Sequence, residues 1–266
     1  MIVLAIVAAG LLQAASPSAQ APAQAPAYRA PRTKDGKPNL NGIWQAVNEA
    51  NWDLEGHSAA QGPVWQLGAA FSVPPGLGVV EGGPIPYKPE ALQKKKANFA
   101  NRMSLDPEIK CYLPGVPRAI YMPYPFQIIQ STEYVMMSFE WAGGLRTVYM
   151  KKQQAPADSW MGWSNGRWEG ETLVIDTTDF NDLSWFDRAG NHHSESLHVV
   201  ERITATGPDH LNYEATIEDP KVFTRPWKIS MPLYRRMEKN AQVLEYKCVE
   251  FAEDMLYGAL RKVPLK

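Results

Sequence analysis

The stretch Asp187 to Arg202, DRAGNHHSESLHVVER, gathers three of the chain's five histidines (His192, His193, His198) with the acids Asp187, Glu195 and Glu201. It opens on a turn, Ala189-Gly190-Asn191, and runs into an alternating strand. Loops that deliver titratable groups to the end of a strand are where binding and acid–base chemistry collect. Histidine titrates near neutrality without help. His193 at the strand entry, with Asp187 behind it as an orienting carboxylate, is therefore a candidate imidazole–carboxylate pair, against the plainer expectation of a surface-loop histidine. In the strand, Leu197, Val199, Glu201 and Ile203 share one face, and His198, Val200, Arg202 and Thr204 share the other. The first face is the more apolar and should point inward. Glu201 would then be desolvated, its pKa raised, and available as a general acid or base; the competing expectation is a glutamate at a rim or paired with an arginine.

Other chemistries fit less well. His198 and Glu201 are three apart on a strand and face opposite sides, so they cannot share a metal without a bulge, and no metal is expected. Ser194 and Ser196 lie beside the histidines, but there is no G-x-S-x-G elbow. Gly76-Leu77-Gly78 sits in proline-rich loop rather than between a strand and a helix, which removes the dinucleotide signal, and no cofactor is expected. Lys plus Arg is 27 against 28 for Asp plus Glu, and the one basic run, Lys94-Lys95-Lys96, falls on an expected helix. Nucleic acid is thus a poor partner. The aromatic side chains point elsewhere. Trp160, Trp163, Trp168 and Trp185, with Tyr121, Tyr124 and Phe126, are candidates either for ordinary core or for the walls of a pocket for a flat, hydrophobic ligand. His198 and Arg202 are added as polar ligand contacts.

The elements that must position these residues are mostly strands. Gly42-Ile43-Trp44 begins the ordered part. Residues 55–87 are rich in Gly and Pro and read as a long loop, a candidate lid over a pocket mouth. Pro89 to Met103 reads as a helix with Leu92, Phe99 and Met103 near one face. From Phe126 the period becomes two. Strands follow over 126–131, 134–139 and 145–150, with a hairpin at Ala142-Gly143-Gly144. Asn165-Gly166 predicts a two-residue hairpin turn. Strands are expected over 172–177, 197–204, 211–217, 228–233 and 243–249, and a terminal helix over 251–261. Eight to ten strands without intervening helices predict an antiparallel all-β domain. Closure into a barrel with an internal cavity resolves its edges; a β-sandwich is the alternative.

Gly42-Ile43-Trp44 resembles the G-x-W of lipocalins and related calycin barrels, which implies that Trp44 closes one barrel end against a late basic residue, Arg235 or Arg236. The fold expectation is thus a lipocalin/calycin-like closed barrel with two short helices. The block Trp160 to Val174, with Lys110-Cys111-Tyr112-Leu113-Pro114-Gly115-Val116-Pro117-Arg118 and Glu218-Asp219-Pro220-Lys221, resembles a large family of uncharacterised secreted bacterial proteins. That resemblance implies export and a single domain, and carries no reaction with it.

Residues 2–12 suit the apolar core of a signal peptide, with Ala19-Gln20-Ala21 as a cleavage site. The expected organisation is a signal peptide over 1–21, an Ala/Pro linker over 22–38 and one domain over 39–266, periplasmic or secreted and without a transmembrane segment. Cys111 and Cys248 suggest a disulfide in that setting, the alternative being two buried thiols. The functional expectation is a binder of a small hydrophobic or aromatic compound. Its alternative is a cofactor-independent lyase, isomerase or hydratase using Glu201, His193 and Asp187, and a third class is an interaction module without a pocket.

Overall fold

The computed structural model describes residues 28–62 and 72–260; the expected signal peptide lies outside them. Ten strands form one sheet: β1 (Gly42–Ala46), β2 (Val80–Glu81), β3 (Phe126–Gln130), β4 (Tyr134–Phe139), β5 (Leu145–Tyr149), β6 (Trp163–Glu169), β7 (Thr172–Thr178), β8 (His198–Gly207), β9 (His210–Glu218) and β10 (Trp227–Arg235). All except β2 follow one another around a ring, which closes where β1 meets β10 through Trp44↔Arg235 to Ala46↔Leu233. Closure excludes the sandwich. The short β2 lies on the remaining edge of β10, opposite Lys228 and Ile229.

The barrel is mixed rather than purely antiparallel, because β5 and β6 run parallel over Val148↔Ser164 and Tyr149↔Asn165. The reason is parity. Nine strands in a closed ring cannot alternate direction all the way round, so at least one neighbouring pair must be parallel, and the loop 150–162 carries the chain back to make it.

Alternation selects the interior. Val199, Glu201, Ile203 and Ala205 of β8, Leu211, Tyr213, Ala215 and Ile217 of β9, and Trp227, Ile229, Met231 and Leu233 of β10 are all buried. Phe126, Ile128, Val135, Met137 and Val148 complete the lining from the other side. These side chains pack into one core, as interiors of small barrels do.

Both ends are covered. At one, Arg235 lies over the Trp44 ring at 4.1 Å and donates to the carbonyl of Asn41 at 3.0 Å. Gly42 has φ +150°, and a Cβ there would fall 2.1 Å from Arg235 Nη1, so only glycine leaves room for the stacked guanidinium. Residues 28–38, expected as linker, belong to this end: Ala30 is buried and Arg32 bridges Pro38. The other end is plugged by α3 (Arg118–Tyr121) and by the loop 184–194, over which α1 (Pro89–Ala100) is laid, with α2 (Arg102–Leu105) following it on the outside. All four residues of α3 are buried, and Tyr121 donates to the carbonyl of Phe186 at 2.8 Å.

Four local expectations are corrected. Asn165-Gly166 makes no turn: β6 runs through both, and the chain reverses at Gly170, φ +61°. Residues 243–249 form no strand; β10 is already paired with β9 on one side and with β1 and β2 on the other, so the ring offers no edge there. The 89–103 helix buries Ala91 and Asn98 and leaves Phe99 half-exposed, because Asn98 donates to the carbonyl of Gly190. The Gly/Pro-rich segment forms a loose hairpin in its described part, with bridges His57↔Gly76 and Ala60↔Val73. The terminal helix is α4 (Ala252–Tyr257), followed by a 3₁₀ turn. Cys111 and Cys248 are disulfide-bonded, 137 residues apart in sequence. In the chain-entropy model closing so long a loop stabilises by about 5 kcal/mol.

Candidate functional site

Glu201 points into the barrel, as strand alternation requires, and is wholly buried. Its carboxylate is engaged on both oxygens. Arg146 Nη1 donates to Oε1 at 3.0 Å and Nη2 to Oε2, and the Tyr213 hydroxyl donates to Oε1 at 2.9 Å. Arg146 also donates to the hydroxyls of Ser164 and Thr177, at 2.9 Å each. The guanidinium, itself 3% exposed, has a partner on each nitrogen. This arrangement is a satisfied ion pair crossing the core from β5 to β8. No local pattern marks Arg146, which sits among the polar and apolar residues of an ordinary short strand.

His193 is equally buried. Its Nδ1 faces the carbonyl of Ser194 at 2.9 Å, and its Nε2 faces Ser184 Oγ at 2.8 Å. A carbonyl can only accept, so Nδ1 carries the proton and Nε2 accepts from the Ser184 hydroxyl. Desolvation holds the ring neutral, with its pKa below the ordinary range. Ser184 is a nucleophile-like partner that sequence reasoning missed. It is 2% exposed, and a Cβ on neighbouring Gly115 would fall 2.3 Å from its Oγ, so no substrate has room beside it.

Asp187 organises the loop in which it lies. Oδ1 accepts from the backbone N–H groups of Ala189 and Asn191, and Oδ2 from Leu54 N–H at 2.9 Å and Asn191 Nδ2 at 2.5 Å. Burial, with Asp53 close by, pushes its pKa up to about 7. Asp219 anchors the other end of the loop, accepting from Ser194 N–H and Oγ. The loop is therefore an internal fixture pressed under α1, and its polar groups satisfy backbone. Asp187, His193 and Glu201 have separate partners, and none of their hydrogen bonds joins one to another.

The ligand-binding candidates disperse likewise. His198 and Arg202 face outward, to Asp176 at 3.0 Å and Glu169 at 2.8 Å. Trp185 is buried and bridges His192. Trp168 packs against the core. Trp160 and Trp163 line an open groove of about 470 Å³ at the β5–β6 seam.

Tyr124 alone of that set lines the half-open cleft at the plugged end of the barrel, a volume of about 290 Å³. One wall is a cluster of three rings: Tyr124 lies 5.4 Å from Trp141 and 4.7 Å from Tyr246, and Trp141 stacks on Tyr246 at 5.1 Å. Trp52 also lines it, with the Arg188 guanidinium 4.5 Å from its ring centre. Arg188 is paired with Glu108 at 3.3 Å and Glu253 at 2.7 Å, and Glu108 with the fully buried Arg118, which Asp106 also grips through both oxygens. The outer wall comes from the segment 246–254 beside the disulfide. The cleft thus offers aromatic faces, while the carboxylates of Glu108 and Glu253 are consumed by arginines.

Among the described residues no group of His, Cys, Asp and Glu is arranged to hold a metal ion, and no helix is long and apolar enough to cross a membrane. No family model matches the chain, and no curated protein matches it.

Proposed function

We propose that this chain is an exported binding protein for a small, uncharged, planar compound, and that its site is the cleft at the plugged end of the barrel rather than the barrel interior. The observation that carries this reading is the cleft itself: about 290 Å³, near the lower end of small-ligand cavities, with the rings of Trp52, Tyr124, Trp141 and Tyr246 in its lining. Aromatic walls favour flat ligands by stacking. Pairing of Glu108 and Glu253 with arginines favours a neutral ligand over an ion. The interior is a poorer host, since its inward side chains pack against one another and against Arg146–Glu201. Export is supported by the apolar run 2–12, by Ala19-Gln20-Ala21 and by the Cys111–Cys248 bond, which belongs to oxidising compartments. The resemblance to secreted bacterial proteins and to calycin barrels points the same way.

The test is titration with 2-naphthol, followed by quenching of tryptophan fluorescence and by calorimetry. A dissociation constant in the micromolar range is expected, or about −8 kcal/mol. Trp141→Ala and Tyr246→Ala should each weaken binding at least tenfold, and Trp163→Ala, at the β5–β6 seam, should not. Binding that survives both cleft substitutions would remove the site.

A further inference from the structure

One wall of the cleft carries a covalent fastening. After Arg235 the chain leaves the barrel and forms no regular element until α4. This strap and the first turn of α4 cross the cleft and supply Tyr246, Val249, Phe251, Ala252 and Glu253 to its lining. Its non-covalent hold is thin. Arg236 holds its start, donating from its backbone N–H to the Ile43 carbonyl and from its guanidinium to Gln45, both at 2.9 Å; beyond that, Leu244 N–H donates to Glu140 Oε2 at 3.0 Å, Phe251 N–H donates to the Ile109 carbonyl at 2.8 Å, Tyr246 packs on Trp141 and Tyr124, and Glu253 pairs with Arg188. Its apolar residues bury little: Leu244 is 57% exposed and Val249 55%. A dozen or more residues without strand pairing or a buried face lose much conformational freedom for these few contacts. A covalent tie is added by the bond from Cys248 in the strap to Cys111, which follows the 3₁₀ turn 107–110 beneath it. Both cysteines are half-buried rather than sealed in core.

We propose that Cys111–Cys248 is a redox latch on the binding cleft: its reduction by a dithiol frees the strap, dismantles the outer wall of the cleft and releases the ligand, while the barrel stays folded. The proposal rests on the cleft being the binding site. One thiolate of the dithiol attacks a sulfur of the bond, a mixed disulfide forms, and the other cysteine leaves as thiolate and takes up a proton. The second thiol of the reductant then displaces the protein sulfur. The net change is two protein thiols and one oxidised, cyclised dithiol. The barrel has reason to survive, because the ring is closed by β1–β10 pairing and its core includes neither cysteine.

Full-length protein is compared before and after treatment with dithiothreitol, with 2-naphthol binding, far-ultraviolet circular dichroism and trypsin cleavage after Lys239 and Lys247 as readouts. Reduction is expected to weaken 2-naphthol at least tenfold, to speed cleavage at Lys247 at least tenfold, and to leave the β-sheet spectrum unchanged. A Cys111→Ser/Cys248→Ser double variant should behave like reduced protein with or without dithiothreitol. Unchanged cleavage at Lys247 after confirmed reduction would overturn the latch and leave the cleft reading intact. Loss of the β-sheet spectrum on reduction would overturn it too, making the bond a support of the whole fold. If 2-naphthol binds neither form, the cleft reading fails, and rapid cleavage confined to the reduced strap would then show a latch serving something other than ligand release. Faster cleavage with unchanged 2-naphthol affinity would overturn the link between latch and cleft.

Discussion

Arg146 and Glu201 meet guanidinium to carboxylate inside the barrel, from strands that stand three positions apart around the ring. A charge pair in a core costs desolvation on both sides, and is tolerated when every donor and acceptor is used. Here Tyr213, Ser164 and Thr177 complete the set. The same geometry removes Glu201 from solvent and from any bound molecule in the cleft. Breaking one side leaves the other charge stranded. Glu201→Leu or Arg146→Met is expected to destabilise the fold by about 3–5 kcal/mol, read from urea midpoints at constant m. The double variant should recover a substantial part of that loss, because two apolar side chains leave no charge behind. A single-variant loss below about 1 kcal/mol would mean that the pair is open to water.

The buried loop makes a pH prediction with two opposing signs. Asp187, pushed from 3.8 up to about 7, keeps its proton in the folded state where the unfolded chain has lost it. Its contribution is full below pH 4 and is lost as pH rises to 7. His192, lowered from 6.5 to about 4 by desolvation and then by Lys94, stays neutral where the unfolded chain is charged. Its contribution is full above pH 6.5 and is lost as pH falls to 4. Between pH 4 and 6.5 the two slopes offset, each worth up to about 1.4 kcal/mol per pH unit. Asp187→Asn should therefore give stability that rises with pH across this window, and His192→Phe stability that falls. Chemical denaturation at half-unit intervals would show it; parallel profiles for the two variants would contradict both assignments.

Gly166 is the third case. It lies in β6 facing the interior, where a Cβ would fall 2.7 Å from both Val148 Cγ1 and Met150 Sδ. Gly166→Ala gains about 0.4–1 kcal/mol from a stiffer unfolded chain and loses about 1–3 kcal/mol to overpacking. A net destabilisation of about 1–2 kcal/mol is expected on those two figures. Met150→Ala placed beside it should relieve part of the loss. A stabilised Gly166→Ala would show that the seam between β5 and β6 is loose.

How much of this was legible follows from which interactions are local. Alternation in 197–204 is a local pattern, and it placed Glu201 inside. Two cysteines in a chain expected to be exported have few alternatives, and they pair. Asn165-Gly166 carries the signature of a turn, but its true reason is the proximity of Val148 and Met150, a contact from another strand that no window around Gly166 contains. Val243 to Val249 alternates like a strand and finds no free edge, a fact of topology. The histidine-rich loop drew attention because titratable groups that do chemistry and those that satisfy backbone look alike in sequence. The cleft was the least visible feature. Trp52, Tyr124, Trp141, Arg188 and Tyr246 come from five separate segments, and only the disulfide expectation brought Tyr246 near the rest.

Arg235 supplies the last prediction. It holds the end of the barrel through three kinds of contact: its guanidinium over Trp44 at 4.1 Å, hydrogen bonds to the carbonyls of Asn41 at 3.0 Å and Pro208 at 3.2 Å, and a pair with Asp209 at 3.2 Å. The stack is worth about 0.5–1 kcal/mol at a partly exposed site, and a hydrogen bond from a charged donor adds more. Arg235→Ala should cost about 1–3 kcal/mol on these grounds. Lysine keeps the charge, but it lacks the planar fork that spans both carbonyls while lying flat on the indole. Arg235→Lys should therefore recover less than half of the loss. The closure of the ring sits at this point, since Trp44 pairs with Arg235 between β1 and β10. The variants should accordingly show faster hydrogen exchange at Trp44 and Gln45 than at Val199 or Tyr213 in the barrel wall. Equal protection of all four amides, or full rescue by lysine, would show that charge near the barrel end suffices and that the stacked geometry contributes nothing.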